Sequence, residues 1–282
     1  MLWILFVYAP IAHWIWGGGW LHQKFQTLDF AGGAVVHLSS AVAGLVAAIY
    51  IGKRNGLDHA KVEPPHNVTL TFIGAGLLWF GWFGFNAGSA LAANNIAVIA
   101  FVNTNLAGAA GATAWFAVEL ILKKRVTLIG AISGAVAGLA AITPAAGFIS
   151  PVYAIPVGLT AGIICYFGVC YLKPKFKYDD SLDAFGIHGI AGLWGLIAAG
   201  IFASTDINPA GAQGWIFGNH ALLLNQLISS AIVILYSAVV TLVILKLVDF
   251  FIPIRVSEVE EFEGLDTNQH GEKCYNINYN LS

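Results

Sequence analysis

The chain has few charged side chains for its length. Of its 282 residues, 13 are Lys or Arg and 15 are Asp or Glu, whereas about a quarter of the residues in a soluble domain are charged. A water-soluble protein of this size would need more charge to cover its surface, so that class is excluded. The net charge of -2 also argues against nucleic acid as a partner.

Cysteine is scarce as well. The three cysteines, Cys165, Cys170 and Cys274, are too far apart or too isolated to form a disulfide framework or a zinc site. The sequence therefore predicts neither a structural metal nor a cofactor.

Hydrophobic residues, in contrast, are abundant. They make up 58% of the chain, and the mean hydropathy is +0.75. A membrane-spanning helix needs about 20 apolar residues, and eight apolar segments are visible. They are residues 2–16, 30–52, 68–90, 96–122, 128–146, 152–172, 184–203 and 221–251. We predict an all-α, polytopic transmembrane helix bundle, whose short first segment is the end of a longer span.

Basic residues occur in every second connecting segment, and this pattern predicts the orientation. They are Lys53, Arg54 and Lys61; Lys123, Lys124 and Arg125; Lys173, Lys175 and Lys177; and Lys246 and Arg255. Because cytoplasmic loops retain positive charge, we expect these segments and the C-terminus to be cytoplasmic. The chain then divides into a membrane domain, residues 1–254, and a cytoplasmic tail, residues 255–282.

Two segments of the chain resemble each other. Asp29-Phe-Ala-Gly precedes His37, and Asp183-Ala-Phe-Gly precedes His188; a Gly-Leu pair follows each histidine at the same offset. The charge pattern makes the two helices run in opposite directions, which indicates an inverted repeat with a shared site near the membrane midplane. The first copy has too few spans before it, so we expect about three further helices upstream.

The two histidines are almost the only ionisable groups inside the apolar segments. A polar group in hydrocarbon is costly unless it is paired or lines a cavity, and a histidine pair can relay a proton. The alternative is that each histidine is hydrogen-bonded to a neighbouring helix as packing. The helical rise places His37 about 10 Å and His188 about 6 Å into their spans, so simple helices would leave them apart. Asp29 and Asp183 are expected to cap their helices.

An aromatic run, Trp79 to Ser89, contains a second group of candidates. Its Gly84 and Gly88 form a G-x-x-x-G pair, which favours close helix packing. Aromatic faces and the Ser89 hydroxyl group can alternatively hold a small cation. Trp16, at the end of its span, fits an interfacial aromatic belt.

Several long motifs resemble the ammonium transporter (Amt/Mep) family. They are Tyr8-Ala-Pro-Ile-Ala-His-Trp-Ile-Trp-Gly-Gly-Gly, Leu28-Asp-Phe-Ala-Gly-Gly-Ala-Val-Val-His37, Gly81-Trp-Phe-Gly-Phe-Asn-Ala-Gly-Ser89, Ile142-Thr-Pro-Ala-Ala-Gly, Phe185-Gly-Ile-His188-Gly and, in the tail, Glu263-Gly-Leu-Asp266, His270-Gly-Glu272 and Tyr275. The resemblance implies an eleven-helix pore in each subunit of a homotrimer, with the eight segments here matching the last eight helices.

The resemblance also implies roles for seven residues. These are Trp16, Asp29, His37, Trp82, Phe85, Ser89 and His188. His37 and His188 match the twin pore histidines, Phe85 matches one gate phenylalanine, and Trp82 lines the pore nearby. Trp16 and Ser89 match an outer recruitment site, which Asp29 supports. The other gate phenylalanine would lie on a helix that this chain lacks.

The function implied by the resemblance is ammonium transport through the lipid bilayer of the plasma membrane, and not an enzymatic reaction. Ammonium is recruited outside and deprotonated, and ammonia passes the two histidines, with or without proton relay. The tail motif implies docking of a PII-type signalling protein. Two alternatives remain: an ammonium sensor that signals through its tail, and an ammonia gas channel of the related Rh branch.

Overall fold

The computed structural model describes residues 1–57 and 65–272, and the regular elements of that part are helices. Their bounds are α1 Ile4–Phe25, α2 Gly33–Ile51, α3 Val68–Gly88, α4 Asn95–Lys123, α5 Leu128–Ile142, α6 Pro151–Phe176, α7 Phe185–Phe202, α8 His220–Phe251, α9 Glu258–Glu263 and α10 Leu265–His270. Lys61, Cys274 and Tyr275 lie outside the described residues.

The predicted helical membrane bundle is confirmed. Seven of the helices are long and apolar enough to cross a membrane, and α5 is a shorter apolar helix of 15 residues. It ends earlier than predicted because Pro144 has no N–H group to continue the helical hydrogen bonds, and the chain turns there. The first helix extends further than predicted: after a turn at residues 16–19 it continues to Phe25.

Small residues bring α4, α5 and α6 together. A Cβ atom on Gly138 or Gly158 would collide with the carbonyl oxygen of Ala107, and one on Gly111 would collide with the carbonyl oxygen of Gly134. Backbones that approach this closely gain van der Waals contact without any large side chain. These three helices therefore form one closely packed unit.

The G-x-x-x-G pair on α3 does not make, within the described chain, the close helix contact that its pattern predicts. A Cβ atom on Gly84 or Gly88 would meet no other atom of the described chain within 4 Å. Much of α3 is exposed, and the Phe80 side chain is 77% accessible. Within residues 1–57 and 65–272, the pair therefore makes no close helix contact.

The two histidine-bearing helices share one architecture. Each begins with a π-helical turn that contains its histidine, Gly33–Leu38 in α2 and Phe185–Gly189 in α7. Each then continues as an α-helix of 13 residues. Single π-helical turns are rare and often occur at functional sites. Their presence at equivalent positions supports the inverted repeat.

The long helix α8 is tied to this pair of helices by buried polar groups. The Gln226 side chain accepts from the Leu28 N–H at 2.9 Å and donates to the carbonyl oxygens of Leu28 and Leu196 at 2.7 and 3.2 Å. The Ser237 hydroxyl donates to the Ser39 carbonyl oxygen at 2.6 Å. Interhelical hydrogen bonds of this kind fix how α8 packs on α2 and α7.

Candidate functional site

His37 and His188 lie in direct contact. Their Nδ1 atoms are 3.3 Å apart, and the two rings stack with centroids 5.2 Å apart and planes 20° apart. The separation expected from the helical rise is therefore not observed. A Cβ atom on Gly192 would lie 2.9 Å from the Gly33 carbonyl oxygen and 3.1 Å from the His37 Cβ atom. Glycine at this position lets α7 approach α2 closely enough for the histidines to meet.

Thr143, which the sequence reasoning missed, completes this centre. Its Oγ1 atom lies 3.3 Å from the His37 Nε2 atom and 3.0 Å from the Trp82 Nε1 atom. Thr143 is fully buried, directly after the end of α5. The Ile142-Thr-Pro-Ala-Ala-Gly motif was its only signal in the sequence.

Aromatic rings form one wall beside the histidines. The Trp82 ring stacks on His37 with a centroid distance of 5.2 Å, and it lies parallel to His188, with a centroid distance of 6.3 Å and an interplanar angle of 2°. The Phe85 ring lies 6.1 Å from His37 and 6.0 Å from Trp82. Trp82 and Phe85 thus share one turn of α3 that faces the pair.

Two further candidates lie at turns in the chain: Trp16 in the turn within α1, and Ser89 directly after α3. The Trp16 Nε1–H group donates to the Asp29 carbonyl oxygen at 2.7 Å, and Trp16 is 44% exposed. Gly32, with a φ of 121° that side chains rarely adopt, lies beside the Trp16 ring. Ser89 is half-buried, and its hydroxyl donates to the Phe85 carbonyl oxygen at 2.8 Å. Among the described residues, no three His, Cys, Asp or Glu side chains are grouped as metal ligands.

Asp29 caps α2, as predicted. One carboxylate oxygen accepts from the N–H groups of Gly32 and Gly33, and the other accepts from those of Ala34 and Val35, at distances from 2.5 to 3.0 Å. The first N–H groups of a helix have no partner within it, so this buried carboxylate satisfies them and fixes the turn that carries His37.

The prediction that Asp183 caps α7 is wrong. Its carboxylate instead accepts from the Lys173 Nζ atom at 2.6 Å, and its backbone is left-handed, with a φ of 55°. Asp180 caps α7, because its carboxylate accepts from the N–H groups of Ala184 and Phe185 at 3.1 and 2.8 Å. Asp180 lies eight residues before His188, as Asp29 lies eight before His37, so the true repeat partner is Asp180.

Just beyond the C-terminal end of α2, residues 54 and 55 make polar contacts with the segment before α7 and with the tail. The Arg54 side chain donates to both carboxylate oxygens of Asp179 at 2.8 Å and lowers the pKa of that carboxyl group. The Glu261 carboxylate on α9 accepts from the Asn55 N–H group at 2.7 Å and pairs with Arg255 at 3.0 Å. The tail residues before position 273 therefore include two short helices, of which α9 is joined to the segment after α2 through Glu261.

A family model described as the Ammonium Transporter Family matches residues 1–275. The chain is 53% identical to an ammonium transporter of Bacillus subtilis, covering 98% of this chain and 67% of that protein. It is likewise 53% identical to the ammonium transporter Amt1 of Archaeoglobus fulgidus, covering 97% of this chain and 68% of the relative.

Solved structures agree with these sequence relatives. The crystal structure of Mep2 from Saccharomyces cerevisiae has a TM-score of 0.84 and 37% identity, over 91% of this chain and 59% of that one. A structure titled Sensor Amt Protein has a TM-score of 0.84 and 28% identity, over 93% of this chain and 66% of that one. The chain thus spans between 59% and 68% of the length of these relatives.

Proposed function

Because this chain belongs to the ammonium transporter family, we propose that it forms the histidine-bearing part of a pore that carries ammonium or ammonia through a membrane. The observation that carries the proposal is the contact between His37 and His188, two titratable rings stacked inside an apolar multi-pass bundle. The activity we propose is transport and not an enzymatic reaction, and membership of a transporter family supports this.

Recruitment of the ion is assigned to the outer group of residues. The exposed face of Trp16 attracts a cation through its π system, and the Ser89 oxygen accepts a hydrogen bond from ammonium. Asp29 supports this group indirectly, since its carbonyl oxygen fixes the Trp16 indole at 2.7 Å. The role of the carboxylate is then to hold α2, and not to bind the ion.

Deprotonation follows from the cost of moving an ion into hydrocarbon. A bare ammonium ion would pay a large desolvation penalty in the apolar bundle, and neutral ammonia pays far less. Phe85 shields the pair from the outer side, and the histidine nitrogens exchange hydrogen bonds with ammonia as it passes. Potassium matches ammonium in charge but has no proton to release, so the same step excludes it.

The proposal extends to location and assembly. The basic loops predict that the end of the bundle with Arg54 and the tail faces the cytoplasm of the cell. Residues 1–254 then form the membrane domain and residues 255–282 the cytoplasmic tail. Exposed apolar side chains on α3 suit contact with lipid or with further helices, and the family resemblance supports a homotrimer.

The test is transport by the protein reconstituted in liposomes. We expect an inward ammonium gradient to alkalinise or acidify the lumen at a rate well above that of empty liposomes. An accompanying current identifies the proton-coupled version, and flux without charge movement identifies the neutral ammonia channel. Absence of both flux and current would contradict the proposal. Saturable ammonium binding without flux would instead favour the sensor function suggested by the similarity to the Sensor Amt Protein.

A second test addresses the tail. If the helices α9 and α10 dock a PII-type protein, that protein should co-purify with the intact chain and be lost when residues 258–282 are deleted. The variant Glu261→Gln weakens the contact to Asn55 and Arg255 and should reduce the recovery. Equal recovery with the deleted tail would show that α9 and α10 are not the docking site.

A further inference from the structure

The Thr143 hydroxyl group has a single hydrogen, and the structure shows where it goes. Oγ1 lies 2.8 Å from the Leu139 carbonyl oxygen and donates to it. Both of its lone pairs then face nitrogen atoms, the Nε1 of Trp82 at 3.0 Å and the Nε2 of His37 at 3.3 Å. An indole N–H group only donates. Thr143 therefore accepts from both partners, and His37 carries its hydrogen on Nε2.

This assignment determines the protonation of the second ring. A neutral imidazole has one N–H and one lone pair, so the Nδ1 atom of His37 is an acceptor. The Nδ1 atom of His188, 3.3 Å away, must then donate to it. The Nε2 atom of His188 is left with the lone pair. One hydroxyl group thus sets the positions of both hydrogens.

The turn that carries Thr143 is held firmly enough to enforce this arrangement. The buried Asn103 side chain on α4 donates to the carbonyl oxygens of Ala146 and Ile149 at 2.8 and 2.9 Å. The Phe30 N–H group donates to the Pro144 carbonyl oxygen at 3.0 Å. Moving Thr143 away from His37 would break these buried bonds, each of which is expensive to leave unmade.

We propose that Thr143 is a positioning residue that holds the histidine pair in one of its two tautomeric arrangements, with hydrogens on His37 Nε2 and His188 Nδ1. The inference rests on the proposed function and specifies how the pair behaves within it. Thr143 acts through His37 and contacts no ammonia itself in this role.

The arrangement gives proton relay a defined end state. In the opposite arrangement, once the Thr143 hydroxyl turns back to the Leu139 carbonyl oxygen, the lone pair of His37 Nε2 accepts a proton from ammonium, which becomes ammonia. The hydrogen on His37 Nδ1 passes to His188 Nδ1, and a water molecule on the inner side takes up the proton from His188 Nε2. One proton enters and one leaves, and the pair ends in the observed arrangement. Thr143 stabilises this end state, so the reset requires its hydroxyl to release Leu139 and donate to His37.

The test is the nitrogen-15 spectrum of the histidine side chains, recorded on the protein in lipid bilayers near neutral pH. We expect protonated-type signals for His37 Nε2 and His188 Nδ1. Thr143→Val removes the acceptor. It should lower the ratio of the expected tautomeric arrangement to the opposite one about fivefold, and Thr143→Ser should restore the wild-type ratio. Thr241→Val is the matched control, because the buried Thr241 on α8 accepts from the Trp3 indole at 3.1 Å far along the chain from the pair.

Two outcomes would overturn the proposal: a wild-type spectrum with the opposite or an equal arrangement, or an unchanged ratio in Thr143→Val. If Thr143→Val does not fold, the wild-type spectrum alone still tests whether the hydrogens lie on His37 Nε2 and His188 Nδ1. The spectrum requires no transport, so its result separates this proposal from the transport proposal. Protein that carries no ammonium but has the expected signals would contradict only the function.

Discussion

Replacing His37 or His188 with alanine is expected to reduce the ammonium-evoked current at least tenfold. Among the described residues, the Nδ1 atom of each ring has the Nδ1 atom of the other ring as its partner, at 3.3 Å, so either substitution breaks the relay. Residues that act as one unit give non-additive losses. The double variant His37→Ala/His188→Ala should therefore lose no more current than either single variant.

Selectivity provides the second measurement on the same proteins. Without the pair, an ion that enters has no internal base to take its proton, so we expect the small residual flux no longer to discriminate ammonium from potassium. His22→Ala is the control, because His22 is an exposed residue of α1 and should leave current within twofold of wild type. Unchanged transport and selectivity in both single variants would show that the two histidines take no part in the mechanism.

Asp29→Ala is expected to lower the apparent melting temperature in detergent by more than about 6 °C. Four backbone N–H groups at the start of α2 lose their acceptor, and each buried unsatisfied group costs about 1–3 kcal/mol. A loss of about 3 kcal/mol or more corresponds to a shift of this size in a chain of this length. The turn that carries His37 should loosen at the same time, and transport should fall with it.

Asp29→Asn tests whether the hydrogen bonds, rather than the side-chain volume, are responsible. An amide keeps one acceptor oxygen and presents an NH₂ group to the other two donors, so its melting temperature should lie between those of the wild type and Asp29→Ala. Asp206→Asn and Asp206→Ala are controls at an exposed aspartate of the segment between α7 and α8 and should melt within about 2 °C of wild type. If Asp29→Ala melted with these controls, the capping account would fail.

Some of the site could be predicted because its signals are local. Asp29 stands directly before an apolar run, which is the position of a helix cap, and the structure places it there. Trp82 and Phe85 are three residues apart on one helix, so they share a face whatever the surroundings. The second cap was misassigned for a related reason: the D-x-x-G match aligned Asp183 with Asp29, although the equal distance to the histidines singles out Asp180.

Thr143 and the histidine contact could not be predicted in the same way. Thr143 reaches His37 across 106 residues of chain and Trp82 across 61, and no periodicity links such positions. The depth argument for His37 and His188 assumed regular α-helices, whereas both histidines lie in π-helical turns. Gly192, which lets α7 approach α2, resembles any other glycine in a membrane helix.

The sequence by itself determined the membrane class, the apolar helices, the repeat of two histidines in opposite orientation and the family of the chain. The scarcity of charged residues and the length of the apolar segments are properties of the linear sequence, so composition and spacing reveal them. Only the tertiary structure decided that the two rings touch, that Thr143 joins them and that Asp180 caps the second helix. These features depend on close packing and hydrogen-bond geometry between distant segments, which are defined only once the helices have packed against one another.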